Sequence, residues 1–319
     1  MKRLLRIGLA ACLLIVALSA RAAPAADCPP AAGDPSAEQI EQARRNARDH
    51  GFLWRISKDG RNSWLYGTIH VARLDWIVPG PTVMQAVRDA DTVALELDLL
   101  DPAVQAEMAD SMAGQRRAAL PPPLSKRVRR QVAAACVPYA TLAKLTPEMQ
   151  IMTLTLLAGR RDGLDAAFGT DVILAGMGHG ARKNVVSLET PAAQLKVLHM
   201  RDAREARTFV EGALADLESG RVQRMLTRFA GIWAAADYDG MAHYQDWCEC
   251  LKTPVERDTL KRALDDRNPG LAASIDALHA DGKQVFAAVG SLHMFGPLGL
   301  PELMAQRGYQ VERIDLAGR

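Results

Sequence analysis

Trp64-Leu65-Tyr66-Gly67-Thr68-Ile69-His70 is a short apolar run that meets a glycine, with a histidine three residues further on. The same grammar returns in Val285-Phe286-Ala287-Ala288-Val289-Gly290-Ser291-Leu292-His293. Apolar runs bounded by glycine read as buried strands. Glycine at a strand tip lets the backbone turn or approach a neighbour closely. Two G-x-x-H tips therefore aim two imidazoles into one cleft. A single G-x-x-H arises by chance in many chains and then marks an ordinary loop histidine. Two copies in matching surroundings argue for a shared site.

The surroundings do match. After His70 come a loop, Val71 to Pro81, a helix from about Thr82 to Asp89, and the strand Thr92 to Leu97. After His293 come Gly296-Pro297, a helix Pro301 to Gln306, a stop at Gly308, and the strand Tyr309 to Ile314. Aligning Val93 with Val311 sets Ile314 opposite Glu96, so the repeat duplicates the histidine and not the carboxylate. A carboxylate at the end of a buried strand must find a partner, because burying it alone is costly. An ion pair or a site role both satisfy that demand for Glu96. The fold expected is α/β (α+β): a mixed central sheet from two pseudo-symmetric halves, each bearing a G-x-x-H, and a helical middle segment over about 101–184.

The remaining segments fit around this frame. Phe52 to Ile56 and Ser63 to Tyr66 read as two strands about the turn Lys58-Asp59-Gly60. Ser36 with Gln39 is a capping-box signature, and Gly51 is read as that helix's stop. Asp101-Pro102, Thr146-Pro147 and Thr190-Pro191 each start a helix, with proline at the first helical position. Met149, Met152, Leu156 and Leu157 have core spacing. Lys183 to Leu188 reads as a strand ending in Glu189, where the following helix N-terminus alone would favour a carboxylate. Asp266-Arg267-Asn268-Pro269 opens a helix that ends near Gly282.

The 319-residue chain has 49% apolar and 24% charged residues and a formal net charge of +2. This is ordinary globular composition, and no basic run interleaved with aromatics points to nucleic acid. Lys2, Arg3 and Arg6, the apolar run Ile7 to Leu18 and Ala20-Arg21-Ala22 have the form of a secretory signal peptide over residues 1–22. A periplasmic or secreted location is expected, with no further stretch long enough to span a bilayer. Residues 23–51 form an arm and a helix, and 52–319 the main domain. Export places Cys28, Cys136, Cys248 and Cys250 in an oxidising compartment. Their pairing stays open on sequence, with two long-range bridges preferred over the tight loop of Cys248–Cys250.

Two histidines and a carboxylate suit Zn, Mn, Fe or Co. A metal with open positions polarises a carbonyl and acidifies bound water, and Glu96 or Glu189 then takes the proton. The chain has no H-E-x-x-H, no G-x-S-x-G and no glycine-rich phosphate loop, although Ser291 lies beside His293.

At these residues the sequence resembles the TraB/GumN family, which includes the animal Tiki proteins. The resemblance spans roughly Phe52 to Ile314. It is carried by Leu65 to His70, Ala94-Leu95-Glu96-Leu97-Asp98, Gly163-Leu164-Asp165, Ser187-Leu188-Glu189-Thr190, Arg267-Asn268, Val289 to His293 and Gly308-Tyr309. The Tiki branch implies a metal-dependent peptidase that prefers Mn or Co and uses the paired G-x-x-H motifs with a glutamate. Carried onto this chain, His70, His293 and Glu96 hold the metal (Mn, Co or Zn). Glu96 doubles as a base, Glu189 is a further site residue, and Arg267 and Asn268 orient substrate or oxyanion, or form a helix-terminal salt bridge and cap. The expected partner is a peptide or protein substrate. Other branches and distant relatives leave two alternatives: a non-catalytic binding module for haem, a peptide signal or a glycan, with Tyr66 a possible haem ligand, and a metal-independent esterase with histidine as base.

Overall fold

A computed structural model of the protein describes residues 28–114 and 119–318. The segment read from sequence as a signal peptide, residues 1–22, lies outside the described residues. The strands are β1 (Phe52–Lys58), β2 (Arg61–Thr68), β3 (Thr92–Leu95), β4 (Asn184–Ser187), β5 (Val285–Gly290) and β6 (Gln310–Ile314). They form a mixed sheet in the order β4-β3-β5-β2-β1-β6. β4, β3, β5 and β2 are mutually parallel, and β1 runs antiparallel to both β2 and β6.

The β1–β2 hairpin turns at Asp59 (φ 52°) and Gly60 (φ 73°), with Lys58 opposite Arg61. Two successive left-handed residues match the twist of the flanking strands. The two expected halves are present. β2 leads through α2 (Pro81–Asp89) to β3, and β5 leads through α15 (Leu300–Gln306) to β6. β2 and β5 are neighbours, with Thr68 beside Gly290, so the two G-x-x-H motifs leave the sheet side by side. The first crossover passes over β5 and the second over β2 and β1, in opposite directions. The right-handed crossover rule puts such connections on opposite faces. The symmetry is incomplete because β1 is inserted between β2 and β6.

The other helices are α1 (Ala37–Arg45), α3 (Pro102–Ala113), α4 (Pro122–Ala134), α5 (Tyr139–Leu142), α6 (Pro147–Leu157) and α7 (Thr170–Gly180). After β4 follow α8 (Pro191–Leu198), α9 (Ala203–Glu218), α10 (Arg221–Ala234), α11 (Tyr238–Ala242), α12 (Tyr244–Trp247), α13 (Pro254–Ala263) and α14 (Asn268–Ala280). Two apolar cores result. The larger encloses the sheet, with Leu65, Leu95 and Phe286 at its centre and Leu174 of α7, Trp233 of α10 and Ile275 of α14 packed on it. The smaller joins α4, α6 and α9 through Val128, Ile151, Leu154, Val210 and Leu214.

Three expectations are corrected here. In α6 the inward stripe is Gln150, Ile151, Leu154 and Leu157, one step round from Met149 and Met152, which stay half-buried. α1 has its capping box but ends at Asn46, while Gly51 (φ 78°) makes a separate turn against the Trp233 indole. Cys28 pairs with Cys136, 108 residues away, and Cys248 pairs with Cys250. The preferred pair of long-range bridges fails because Cys28 and Cys136 satisfy each other. The other two are left on one turn with their Cα atoms 5.1 Å apart, inside the range a disulfide spans. Among the described residues no helix is long and apolar enough to cross a membrane.

Candidate functional site

The four neighbouring parallel strands β4, β3, β5 and β2 end at the same edge, and each delivers one side chain to one place. β2 runs into His70, β3 into Glu96, β4 into Glu189 and β5 into His293. In parallel α/β sheets the carboxyl ends of the strands are where ligands bind. The apolar runs explain the delivery. Buried strands demand Val, Leu, Ala and Phe until the sheet ends, and polar side chains appear at the first residues beyond it.

The two motif glycines are required by close approach. A Cβ on Gly67 would lie 2.9 Å from Ser291 Oγ, so the two loops touch backbone to side chain. A Cβ on Gly290 would lie 3.2 Å from Glu96 Oε1, 3.4 Å from His70 Nε2 and 3.7 Å from His293 Cδ2. Both histidines and the glutamate therefore converge within one methyl's reach of Gly290. Ser291 is not part of this convergence: its hydroxyl is buried and donates to the Thr68 carbonyl, 2.8 Å away.

The histidines are fixed from behind. His70 Nδ1 lies 3.3 Å from Asp171 Oδ2. Asp171 sits in the first turn of α7, next to Thr170, whose N–H donates to the Ile69 carbonyl (2.9 Å) and whose hydroxyl accepts from the Ile69 N–H (2.9 Å). His293 Nδ1 is hydrogen-bonded to Asn268 Oδ1, and the Asn268 amide donates to the Leu298 carbonyl at 2.7 Å. In the neutral imidazole, an oxygen acceptor on Nδ1 makes that nitrogen the N–H and leaves Nε2 with its lone pair. Asn268 is buried (1% exposed) beneath His293, so its contacts are with the protein.

Arg267 occupies the middle of the cluster. Its Nε (3.2 Å) and Nη2 grip both oxygens of Glu189, and Nη2 also donates to Glu96 Oε2. Its Nη1 donates to the Ala263 carbonyl (2.9 Å) and to His293 Nε2 (3.1 Å). A guanidinium has five N–H donors, and all are engaged within the protein. Gln194 of α8 bridges Glu96 Oε2 (3.2 Å) and Glu189 Oε1 (3.1 Å), while Gly290 N–H donates to Glu96 Oε1 at 2.8 Å.

The site is graded from rim to floor. Side-chain exposure falls from 56% at His70 to 11% at Glu96, Glu189 and Arg267 and 4% at His293. Desolvation raises the Glu96 pKa, but Arg267, His70 and the hydrogen bond from the Gly290 N–H outweigh it and hold the carboxyl well below the usual range. A carboxylate so firmly ionised suits a ligand better than a proton acceptor. Burial, with Arg267 nearby, pushes the His293 imidazole down to about 4. Its neutral Nε2 can therefore accept the Arg267 hydrogen bond. For His70, desolvation pulls down while Asp171 and then Glu96 pull up more strongly, to about 9, and water at the open rim screens part of that attraction. Burial raises Glu189 above the ordinary carboxyl range despite Arg267.

All six residues singled out from sequence thus lie in one network: His70, Glu96, Glu189, Arg267, Asn268 and His293. Asp171 and Gln194 were missed. Asp171 reads in sequence as an acidic residue favouring a helix N-terminus, and Gln194 as one more polar residue of α8. No local pattern distinguishes either residue from those ordinary roles, because His70 lies 101 positions from Asp171 and Glu96 lies 98 from Gln194.

The donor set was tested against a divalent cation. Two imidazole Nε2 atoms and a carboxylate oxygen around the Gly290 cradle, each imidazole held through Nδ1, are the right chemistry. As the side chains stand, no three His, Cys, Asp or Glu among the described residues form a ready ligand group. The visible obstacle is Arg267, whose Nη1 takes up the His293 lone pair.

The molecule is thus an α/β protein with a two-histidine, two-glutamate, one-arginine cluster at the carboxyl ends of its parallel strands. The pattern of the TraB/PrgY/gumN family matches residues 52–313, and the chain belongs to that family. No curated protein and no solved structure compared with the chain matches it.

Proposed function

We propose that this protein is an exported hydrolase that cleaves a carbonyl–heteroatom bond, a peptide bond foremost, with a divalent cation (Mn, Co or Zn) held by His70, Glu96 and His293. The observation that carries the reading is the convergence of His70 Nε2, Glu96 Oε1 and the His293 ring over Gly290, where only glycine fits without displacing them. Family membership supports it. The form of the N-terminus and the Cys28–Cys136 bridge support export.

A cation bound there supplies positive charge that polarises a substrate carbonyl. The protein's own groups do the rest. His70, on the rim, meets substrate first, with its ring direction set by Asp171. Glu96 faces the same space through Oε1, tethered to the Gly290 N–H. Gln194 bridges Glu96 and Glu189, and Arg267 holds Glu189 side-on.

One observation favours a second reading, a metal-independent hydrolase in which Arg267 is the resident cation: its Nη1 already sits on His293 Nε2. The haem-binding alternative loses Tyr66, which is buried and donates its hydroxyl to the His50 carbonyl at 2.9 Å. The test is hydrolysis of an internally quenched peptide library by chelator-dialysed protein, before and after adding Mn²⁺, Co²⁺ or Zn²⁺. Cleavage that appears only with cation, and not in His70→Ala or His293→Ala, is expected. Cleavage undiminished by chelation selects the metal-independent reading. No cleavage in any state refutes both and leaves a binding module.

A further inference from the structure

The other clusters of the molecule are spoken for by the fold. Asp98 binds His179, Glu148 binds His199, and Arg201, Glu205, Asp258 and Arg262 tie the loop after α8 to α9 and α13. Arg267 differs from these, because a buried cation stands among groups suited to hold another cation.

We infer that Arg267 is an internal competitor for the metal centre: its guanidinium occupies His293 Nε2 and Glu96 in the cation-free protein, and a divalent cation binds by displacing those two contacts. This inference rests on the metal reading of the preceding section. Three observations argue it. The contacts are to the acceptor atoms a metal would use, the Nε2 lone pair of His293 and a carboxylate oxygen of Glu96. Arg267 also has partners that it keeps on release, since Nε and Nη2 hold Glu189 side-on and Nη1 holds the Ala263 carbonyl. Its backbone lies just before α14, adjacent to Asn268, so the residue next to the one that orients His293 is the one that covers it.

The arrangement has a direct thermodynamic consequence. Each contact that Arg267 makes to a ligand atom must be broken before metal binds, so the apparent affinity is the intrinsic affinity multiplied by the fraction of molecules in which the plug is displaced. Removing the guanidinium frees His293 Nε2 and leaves Glu96 and Glu189 uncompensated, which destabilises the cation-free fold and raises the affinity.

The experiment is calorimetric titration of chelator-treated wild type, Arg267→Gln and Arg267→Lys with Mn²⁺, paired with Co²⁺ absorption spectra that report imidazole ligation. Thermal unfolding is recorded with and without Mn²⁺. The expected result is a Kd at least tenfold lower in Arg267→Gln than in wild type, the same direction in Arg267→Lys, and a larger Mn²⁺-induced rise in melting temperature for the variants. Arg267→Lys keeps a positive charge for Glu189 and serves if Arg267→Gln does not fold. Wild type that binds Mn²⁺ while neither variant binds tighter overturns the competitor role and leaves the metal reading intact. No binding by wild type or by either variant overturns both.

Discussion

Gly290→Ala separates the site from the fold. Gly290 has φ −47° and ψ 136°, a conformation that alanine adopts without strain, so the backbone has no reason to object. Alanine also restricts the unfolded chain, a gain of about 0.4–1 kcal/mol at compatible positions. Against that, the new methyl sits 3.2 Å from Glu96 Oε1 and 3.4 Å from His70 Nε2, and both must give by a few tenths of an ångström. The shift strains the Gly290 N–H bond to Glu96, a hydrogen bond to a charged group of the kind worth about 1.5–3 kcal/mol. Losing part of it roughly cancels the gain, so stability is expected to stay within about 1 kcal/mol of wild type. The site fares differently, because the methyl fills the space on which His70 Nε2 and Glu96 Oε1 converge. A drop in kcat/KM of about 100-fold or more follows, equivalent to about 2.7 kcal/mol of transition-state stabilisation. The assays are urea unfolding by circular dichroism and hydrolysis of the best quenched peptide. Near-wild-type activity in a variant of wild-type stability would refute the claim that chemistry happens over Gly290.

Asn268→Ala removes the acceptor on His293 Nδ1, and a lost outer-shell partner of this kind costs about 10–100-fold in metal affinity or activity; Mn²⁺ titration of the variant checks it. Glu205 is held below the ordinary carboxyl range because Arg201 and Arg262 outweigh its desolvation. Its lowered folded pKa means that the stability it adds is complete above its ordinary value near 4.5 and is lost as pH falls through the lowered value. Glu205→Gln should therefore be destabilised by about 1–2 kcal/mol at neutral pH and lose less than wild type on acidification, read from urea midpoints across pH 3 to 7. Replacing Cys28 and Cys136, 108 residues apart, should cost up to about 4–5 kcal/mol by chain entropy, and replacing Cys248 and Cys250, two residues apart, only about 1.5 kcal/mol. Denaturant unfolding of the two double serine variants compares them.

Much of the site was legible in the sequence because strand tips announce themselves. Val285 to Val289 is an apolar run that no water-facing strand tolerates, and Gly290 closes it, so His293 had to fall just beyond the sheet. Glu96 and Glu189 were found by the same logic, as carboxylates ending apolar strands. Strand order was not legible. β1 intervenes between β2 and β6 through register contacts such as Leu53 with Ile314, which no local pattern encodes. Asp171 stayed hidden because its partner His70 is 101 positions away and its local setting, the start of a helix, already explained an acid. The cysteines misled for the opposite reason. A local pair looked too tight, yet the long-range partners available, Cys28 and Cys136, took each other.

The central claim is that His70, Glu96 and His293 form a divalent-metal centre. Its most direct test is elemental analysis of the purified protein, joined to Mn²⁺, Co²⁺ and Zn²⁺ titrations of wild type and His293→Ala. The account predicts about one equivalent of metal per wild-type chain, the stoichiometry of a single three-ligand site, and its loss in a variant that remains folded. Equal metal content and affinity in the two proteins, or no binding by either, would contradict it.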